Sequence, residues 1–176
     1  MNNNKILINK LKSFENINSN LVNIALALFG TLLLAISSKV QVPFWPVPMT
    51  MQTFIIFLIG MTYSVRLSFI TVALYLFEGA VGLPVFASGG GIAYLTGPTA
   101  GYLYGMLLAS ITISYFANLG FSKTYLKATF SLLIGSIIIF TIGILYLGSI
   151  IGFEKAIVAG LIPFIPSEIF KIALAV

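Results

Sequence analysis

The sequence of 176 residues contains neither cysteine nor histidine. The absence of cysteine excludes a disulfide framework and a thiolate metal site. The absence of histidine removes the commonest general base and a frequent metal ligand, which argues against a zinc enzyme, a haem protein and a membrane protease. We therefore predict a protein that has no bound metal and no cofactor and is not an enzyme.

Charged residues are also scarce. They make up 7% of the chain, whereas 59% of the residues are hydrophobic and the mean hydropathy is +1.09. Soluble domains carry about 25% charged residues, so the composition argues strongly against a soluble fold. At about 20 residues per span, the chain has room for about five to seven transmembrane helices. We predict a single all-α integral membrane protein in a lipid bilayer.

Six apolar segments follow a polar, asparagine-rich stretch at residues 1–20. This stretch lacks the apolar core of a signal peptide, so we predict a cytoplasmic N-terminal tail. Residues 21–176 are predicted to form one membrane domain of six transmembrane helices, and Pro163 and Pro166 interrupt the last segment. The six segments lie at residues 21–38, 49–64, 67–82, 99–119, 128–151 and 157–176.

The basic residues indicate the orientation of these helices. Lysine and arginine gather in the cytoplasmic loops of membrane proteins, so the net charge of +5 points to topology and not to a nucleic-acid partner. With the N-terminus inside, only Lys39 and Lys155 lie in outer loops. We therefore predict an N-in, C-in, multi-pass protein of the cytoplasmic membrane. The inner basic residues are Lys5, Lys10, Lys12, Arg66, Lys123 and Lys127.

This orientation places three connections of unusual sequence on the outer face. They read VQVPFWPVPMTMQT at 40–53, GLPVFASGGGIAYLTGP at 82–98 and GLIPFIPSEIFK at 160–171. In hydrocarbon, irregular backbone is tolerated only where it is buried in protein or lines a cavity. All the unusual chemistry of the chain is therefore predicted to lie on one face.

Three prolines stiffen the first of these connections and place Phe44 and Trp45 near the edge of the bilayer. Trp45 has two interpretations, an aromatic anchor at the membrane interface and the wall of a rigid lid over a pocket. Thr50, Gln52 and Thr53 then open the second helix with polar groups that a lipid-facing turn does not need.

The second connection is rich in glycine. Gly89, Gly90 and Gly91, together with Ser88, suit a tight loop whose backbone approaches a ligand closely. A flexible connector is the alternative.

Small residues recur every four positions on two of the predicted helices. Such stripes allow helices to pack closely. They are formed by Gly101, Gly105 and Ala109 on the fourth helix and by Ala27, Thr31 and Ala35 on the first.

Glu168 and Lys171 lie three residues apart, so on a helix they share one face. Such charges at bilayer depth cost roughly 2.5 to 3.5 kcal/mol each and usually face the bundle interior with a partner. The two residues form either a self-neutralising pair or the polar end of a pocket, where a lysine meets a carboxylate and a glutamate accepts from ligand N–H groups. A membrane enzyme with these residues as acid and base is a weaker alternative, because the sequence shows no nucleophile with its base.

Four motifs occur in order along the chain: PVPMTMQT at 46–53, GLPVFASGGG at 82–91, GPTAGYLYG at 97–105 and LIPFIPSEIFK at 161–171. Together they resemble the BioY family, the biotin-specific S components of energy-coupling factor (ECF) transporters. The resemblance implies a vitamin pocket at the outer face and docking to a transmembrane coupling subunit that carries two ATPases. It thus implies the capture and uptake of biotin, and a self-sufficient carrier for biotin or another small vitamin is the alternative.

The resemblance also implies roles for individual residues. Lys171 would hold the valerate carboxylate of biotin, and Glu168, where the family usually has aspartate, would pair with the ureido N–H groups. The stripe on the first helix would be the docking face for the coupling subunit, with internal packing as the alternative. The predicted ligand-binding residues are Glu168, Lys171, Trp45, Gln52, Ser88, Gly89, Gly90, Gly91 and Tyr94, and the predicted docking residues are Ala27, Thr31 and Ala35.

The energy for active transport is predicted to come from the partner. The chain contains no G-x-x-x-x-G-K-[ST] phosphate loop, which an ATPase of this type needs to hold its nucleotide.

Overall fold

The computed structural model describes residues 19–176. The predicted cytoplasmic tail lies outside the described residues, except for Ser19 and Asn20, which begin the first helix. The helices are α1 (Ser19–Lys39), α2 (Gln52–Thr62), α3 (Val65–Ala80), α4 (Ile92–Leu95), α5 (Ala100–Asn118), α6 (Tyr125–Ile151), α7 (Phe153–Gly160) and α8 (Ile165–Ala175). An antiparallel hairpin of β1 (Gln41–Val42) and β2 (Met49–Thr50) joins α1 to α2. Turns of 3₁₀-helix occur at Phe121–Lys123 and Ile162–Phe164.

Every predicted apolar segment overlaps a helix of this structure. The last segment is divided between α7 and α8, and the prolines explain the division. Pro163 lies in the 3₁₀ turn, and Pro166 lies in the first turn of α8, where a missing N–H group breaks no helical hydrogen bond.

Four helical stretches of the described chain are long and apolar enough to cross a membrane. They are Asn20–Lys39, Ala100–Asn118, Tyr125–Ile151 and Phe153–Ala175, the last of which combines α7 and α8. The α2 helix has only 11 residues, or about 17 Å at 1.5 Å per residue, against a hydrocarbon core of about 30 Å. The fold is that of a helical membrane protein, and the number of crossings depends on α2 and α3.

The α5 helix packs closely against α6 along its stripe of small residues. A side chain on Gly101 would overlap Tyr146, and one on Gly105 would overlap the backbone of Ile139. Ala109 is fully buried. The predicted packing role of this stripe is confirmed, because only small residues allow the two helices to approach this closely.

The stripe on α1 faces the interior of the bundle. Ala27 and Thr31 are each 4% exposed, and the Thr31 hydroxyl donates to the Leu28 carbonyl of its own helix at 3.0 Å. Ala35 is partly buried and packs against the same core. For Ala27 and Thr31 the structure thus shows internal packing and not an exposed docking surface.

Candidate functional site

The three unusual connections meet at one end of the bundle around a narrow cavity. Val47 and Pro48 come from the hairpin, Phe86 from the glycine-rich loop (residues 82–91), and Phe164 from the turn before α8. The empty space is about 520 Å³, part of it open to solvent, and the centre of a water molecule fits within only about 40 Å³ of it. The cavity is therefore close-fitting. The other lining residues are Thr50, Gln52, Thr53, Ala87, Tyr94, Thr99, Tyr102, Leu103, Met106, Ile139, Phe140, Glu168 and Lys171.

Four side chains from three helices form what we call the polar floor: Thr53 of α2, Ser136 of α6, and Glu168 and Lys171 of α8. Lys171 Nζ donates to Thr53 Oγ1 at 2.9 Å and lies 3.3 Å from Glu168 Oε2. Thr53 Oγ1 donates to the same Oε2 at 3.0 Å, and Ser136 Oγ donates to Oε1 at 3.1 Å. Both carboxylate oxygens are thus hydrogen-bonded.

The two charged residues of the polar floor are almost fully buried. Glu168 is 4% exposed and Lys171 is 2% exposed. Removing a charge from water costs several kcal/mol, and an opposite charge offsets this only when hydrogen bonds satisfy both groups. The ion pair and the hydroxyls of Thr53 and Ser136 provide these contacts. The pair is therefore self-neutralising and also lines the cavity, so the two interpretations of these residues are compatible.

Gln52, at the start of α2, is a second polar group in the cavity wall. Its Oε1 accepts from Thr50 Oγ1 at 3.0 Å, and its Nε2 donates to the Tyr75 hydroxyl at 2.7 Å. Tyr75 in turn donates to the Val85 carbonyl at 2.9 Å. This chain of hydrogen bonds connects the cavity wall to the glycine-rich loop.

Two groups of aromatic rings line the cavity, and we call them the aromatic walls. In the first, Phe86 and Tyr94 are stacked, with 4.9 Å between their centroids and 26° between their planes. In the second, Tyr102 stacks on Phe164 at 6.4 Å, and Phe140 meets Phe164 at 6.0 Å and 67°. Apolar walls with a few convergent polar groups are typical of a small-molecule binding site.

Some predicted ligand-binding residues line the cavity and others line its entrance. The cavity includes Gln52, Tyr94, Glu168 and Lys171. Ser88 and Gly90 line a more open cleft instead, together with Pro48, Tyr94 and Thr99, which also line the cavity. The two spaces share these three residues, so the cleft adjoins the cavity, and we call the cleft the mouth.

Gly89 and Gly91 shape the loop and line neither space. Their φ angles are +134° and +100°, a region that favours glycine. Phe86 and Gly89 exchange backbone hydrogen bonds of 2.9 and 3.3 Å, and the Gly91 N–H donates to the Gly79 carbonyl at 2.7 Å. These contacts define the turn that brings Phe86 into the cavity wall.

Trp45 lies outside the cavity. Its side chain is 83% exposed and borders a separate groove with Glu154 and Lys155. Its neighbour Phe44 contacts Phe164 instead, with 6.3 Å between centroids. The structure therefore corrects the interpretation of Trp45 as a pocket wall and is consistent with an exposed aromatic anchor.

The sequence analysis did not identify several residues of the site. Phe86 carried a signal, because it is a large apolar residue among small ones in a connection already singled out. The others lie in apolar helices or next to the prolines, where nothing in the local pattern marks them. The missed residues are Tyr75, Phe86, Tyr102, Ser136, Phe140 and Phe164.

The sequence profile of the BioY family matches residues 9–176. The chain belongs to the BioY family. This BioY chain is 36% identical over 170 residues to the probable biotin transporter BioY of Rickettsia prowazekii (strain Madrid E), which covers 96% of this chain and 87% of the relative. It is 35% identical over 147 residues to the biotin transporter BioY of Thermotoga maritima, over 82% of this chain and 86% of the relative.

A solved structure is similar to this BioY chain over most of its length. It is the S-component for biotin from an ECF-type ABC transporter, with a TM-score of 0.80 and 24% identity. The match covers 91% of this chain and 89% of that structure. The BioY chain therefore has the fold of an S-component.

Proposed function

We propose that this protein captures biotin as the substrate-specificity subunit of an ECF-type ABC transporter in the cytoplasmic membrane. Family membership and the names of its relatives support both the ligand and the transport role. One observation of the structure carries the proposal: Thr53, Glu168 and Lys171 of the polar floor line the same cavity as two groups of aromatic rings. Such a site offers hydrogen-bond donors, acceptors and apolar contacts to a small cyclic ligand.

The geometry of the polar floor limits how biotin binds. Its ureido and carboxylate groups lie at opposite ends, separated by a bicyclic ring system and an aliphatic chain. Glu168 and Lys171 are only 3.3 Å apart, so they contact the same end of a ligand. The resemblance implied that Lys171 binds the carboxylate and Glu168 the ureido group, at opposite ends of biotin. Two residues this close together do not suit that assignment.

We assign the ureido group to the polar floor. A cyclic urea has N–H donors for the Glu168 carboxylate and a carbonyl acceptor for the Lys171 ammonium. Because it is neutral, it leaves the buried ion pair balanced, whereas a carboxylate would add an unpaired negative charge. The bicyclic rings then lie between the aromatic walls, and the valerate chain extends toward the mouth near Ser88 and Thr99.

We further propose six membrane crossings with both termini in the cytoplasm. The long helices account for four crossings, and α2 and α3 with their flanking connections complete the others. The distribution of basic residues supports the orientation, since Arg66 shares a cleft with Asn20 and Asn23 at the end of the bundle opposite the cavity. The cavity then opens to the outside.

The transmembrane coupling subunit and its two ATPases are the proposed partners. The outward face of α1 is the candidate docking surface, because its exposed residues include Leu28, Leu32 and Ile36. Ala35 borders this face, whereas Ala27 and Thr31 lie on the buried side. The surface is apolar and suits a second membrane protein as well as lipid.

Titration calorimetry of the purified full-length chain in detergent tests the proposed ligand. We expect saturable binding of biotin and of desthiobiotin, which also carries a ureido ring, and no binding of riboflavin. Riboflavin binding without biotin binding would overturn the proposal. Uptake of biotin by cells that express this chain with and without a coupling module separates a specificity subunit from a self-sufficient carrier.

A further inference from the structure

Three successive carbonyl groups of the glycine-rich loop accept hydrogen bonds from side chains at the end of α1 and the start of β1. Ser38 Oγ shares its one proton between Val85 O at 2.8 Å and Ala35 O of its own helix at 2.7 Å. Lys39 Nζ donates to Phe86 O at 2.5 Å, and Gln41 Nε2 donates to Ala87 O at 3.3 Å. We call Ser38, Lys39 and Gln41 the α1 clamp.

Two of the three carbonyls held by the clamp belong to residues that line the cavity, and the third, of Val85, precedes them directly. Phe86 and Ala87 both line the cavity, and Phe86 is completely buried. The Phe86 ring stacks on Tyr94 and meets Tyr75 edge-on, with 5.4 Å between centroids and 84° between planes. The clamp therefore sets the position of an aromatic wall through the backbone.

The composition of the loop explains why such tethers matter. Glycine has more backbone freedom than any other residue, and this loop contains four of them between Gly82 and Gly91. The bond from Lys39 is charge-assisted, and such bonds are roughly twice as strong as neutral ones. Lys39 thus provides the one charged tether among the three residues of the clamp.

We propose that the α1 clamp holds the glycine-rich loop over the cavity and that Lys39 is a positioning residue that slows ligand release. The proposal rests on the proposed function, since the ligand is the one assigned to this cavity. Lys39 does not line the cavity, and its bond to the Phe86 carbonyl gives it a route to the cavity wall through the backbone. Loosening the clamp frees the loop to open, and a bound molecule leaves sooner.

Hydrogen exchange of the detergent-purified full-length chain tests the clamp without any ligand. In Lys39→Met we expect the amides of Gly89 and Gly91, which are hydrogen-bonded in the loop turn, to exchange about 10-fold faster. Exchange within α5 and the unfolding temperature should stay unchanged. In the same variant biotin should dissociate about 10-fold faster, which corresponds to about 1.4 kcal/mol, with an almost unchanged association rate.

Matched variants separate positioning from other roles. Lys155→Met removes another lysine on the same side of the protein, away from the loop, and should change neither rate. Lys39→Arg keeps a charged donor and should restore both rates. Gln41→Ala removes an exposed tether and should accelerate exchange to a smaller extent, so the clamp can be tested even if Lys39→Met does not fold.

Two results would overturn the clamp. One is unchanged loop exchange in Lys39→Met and Gln41→Ala. The other is weaker binding of biotin but not of its methyl ester in Lys39→Met, because this would make Lys39 a contact of the carboxylate. A wild-type chain that does not bind biotin would refute the proposed function instead. The hydrogen-exchange rates of the loop amides would still show whether the clamp holds the loop.

Discussion

Lys171 donates a hydrogen bond to Thr53 across 2.9 Å, although 118 positions separate the two residues in the sequence. The Thr53 hydroxyl has a single proton, and it donates this proton to Glu168. The hydroxyl is therefore oriented with its lone pair toward the ammonium and its proton toward the carboxylate. Through this one group α2 and α8 are joined at the base of the cavity.

Replacement of Thr53 by valine keeps the shape of the side chain and removes the hydroxyl. Lys171 and Glu168 each lose a buried partner, so we expect the free energy of unfolding to fall by about 1 to 3 kcal/mol and biotin to bind more weakly. Unfolding in detergent and calorimetry measure the two effects. Thr62→Val, which removes a hydroxyl that bonds to the Leu58 carbonyl of its own helix, is the control and should cost less. Equal losses in both variants would contradict the role of Thr53.

Lys171→Met removes the donor that we assign to the ureido carbonyl. Loss of a hydrogen bond from a charged group costs about 1.5 to 3 kcal/mol, so the affinity for biotin should fall about 10- to 150-fold. Biotin methyl ester should lose affinity by the same factor, because the ureido ring is common to both ligands. Calorimetry with acid and ester measures this ratio. A loss confined to the acid would place the carboxylate on Lys171 and refute the assigned orientation.

The double variant Lys171→Met with Glu168→Gln is the control for stability. Each single change leaves the other charge buried without its partner. This typically lowers the free energy of unfolding by about 3 to 5 kcal/mol. The double variant should recover stability, since no unpaired charge remains, but not the affinity for biotin. Recovery of affinity as well would show that the pair is purely structural.

Tyr75→Phe removes the hydroxyl that connects Gln52 to the glycine-rich loop. The buried Gln52 Nε2 then loses its partner, and we expect the affinity for biotin to fall about 10-fold, or about 1.4 kcal/mol. Tyr63→Phe removes a hydroxyl that bonds to the Leu26 carbonyl at 2.9 Å near the opposite end of the bundle. It should reduce stability without changing affinity. Similar affinities for wild type and Tyr75→Phe would argue against a role of this connection in binding.

Leucine substitutions on α1 distinguish its buried side from its exposed side. Ala27→Leu forces extra volume into a packed interior, which typically costs about 1 to 3 kcal/mol, so both stability and biotin binding should decrease. Ala25 is exposed on the same helix, and Ala25→Leu should preserve both. Thermal unfolding and calorimetry check these outcomes. Intact binding together with lost uptake in Ala27→Leu would restore Ala27 as a docking residue.

The sequence was sufficient for the helical fold class and the longer helices, but not for the hairpin of β1 and β2, the short α4 or the 3₁₀ turns, and it predicted part of the site. Apolar segments bounded by prolines and glycines marked the helices, and the spacing of Glu168 and Lys171 predicted their shared face. Polar residues at the start of α2 were also informative. A turn that faces lipid does not need the polar side chains of Gln52 and Thr53, and the structure places both in the cavity wall.

Contacts between distant helices were beyond such reasoning. Ser136 lies in a long apolar helix, and only the arrival of α8 beside it identifies it as a partner of Glu168. The sequence also did not predict whether the stripe on α1 faces the bundle interior or another membrane protein. Lipid and the bundle interior are both apolar, and small residues suit either neighbour. For Trp45 the flanking prolines indicated stiffness but not the direction of the ring.

The polar floor also has an order of assembly. Thr53 and Ser136 precede Glu168 and Lys171 along the chain, and a protein is synthesised from its N-terminus. The segments that carry the two hydroxyl groups are therefore synthesised before α8. The two charges, each costly in hydrocarbon without a partner, are synthesised last. A nascent chain that stalls before α8 has neither charge of the ion pair, so its cavity lacks the ionic part of the polar floor.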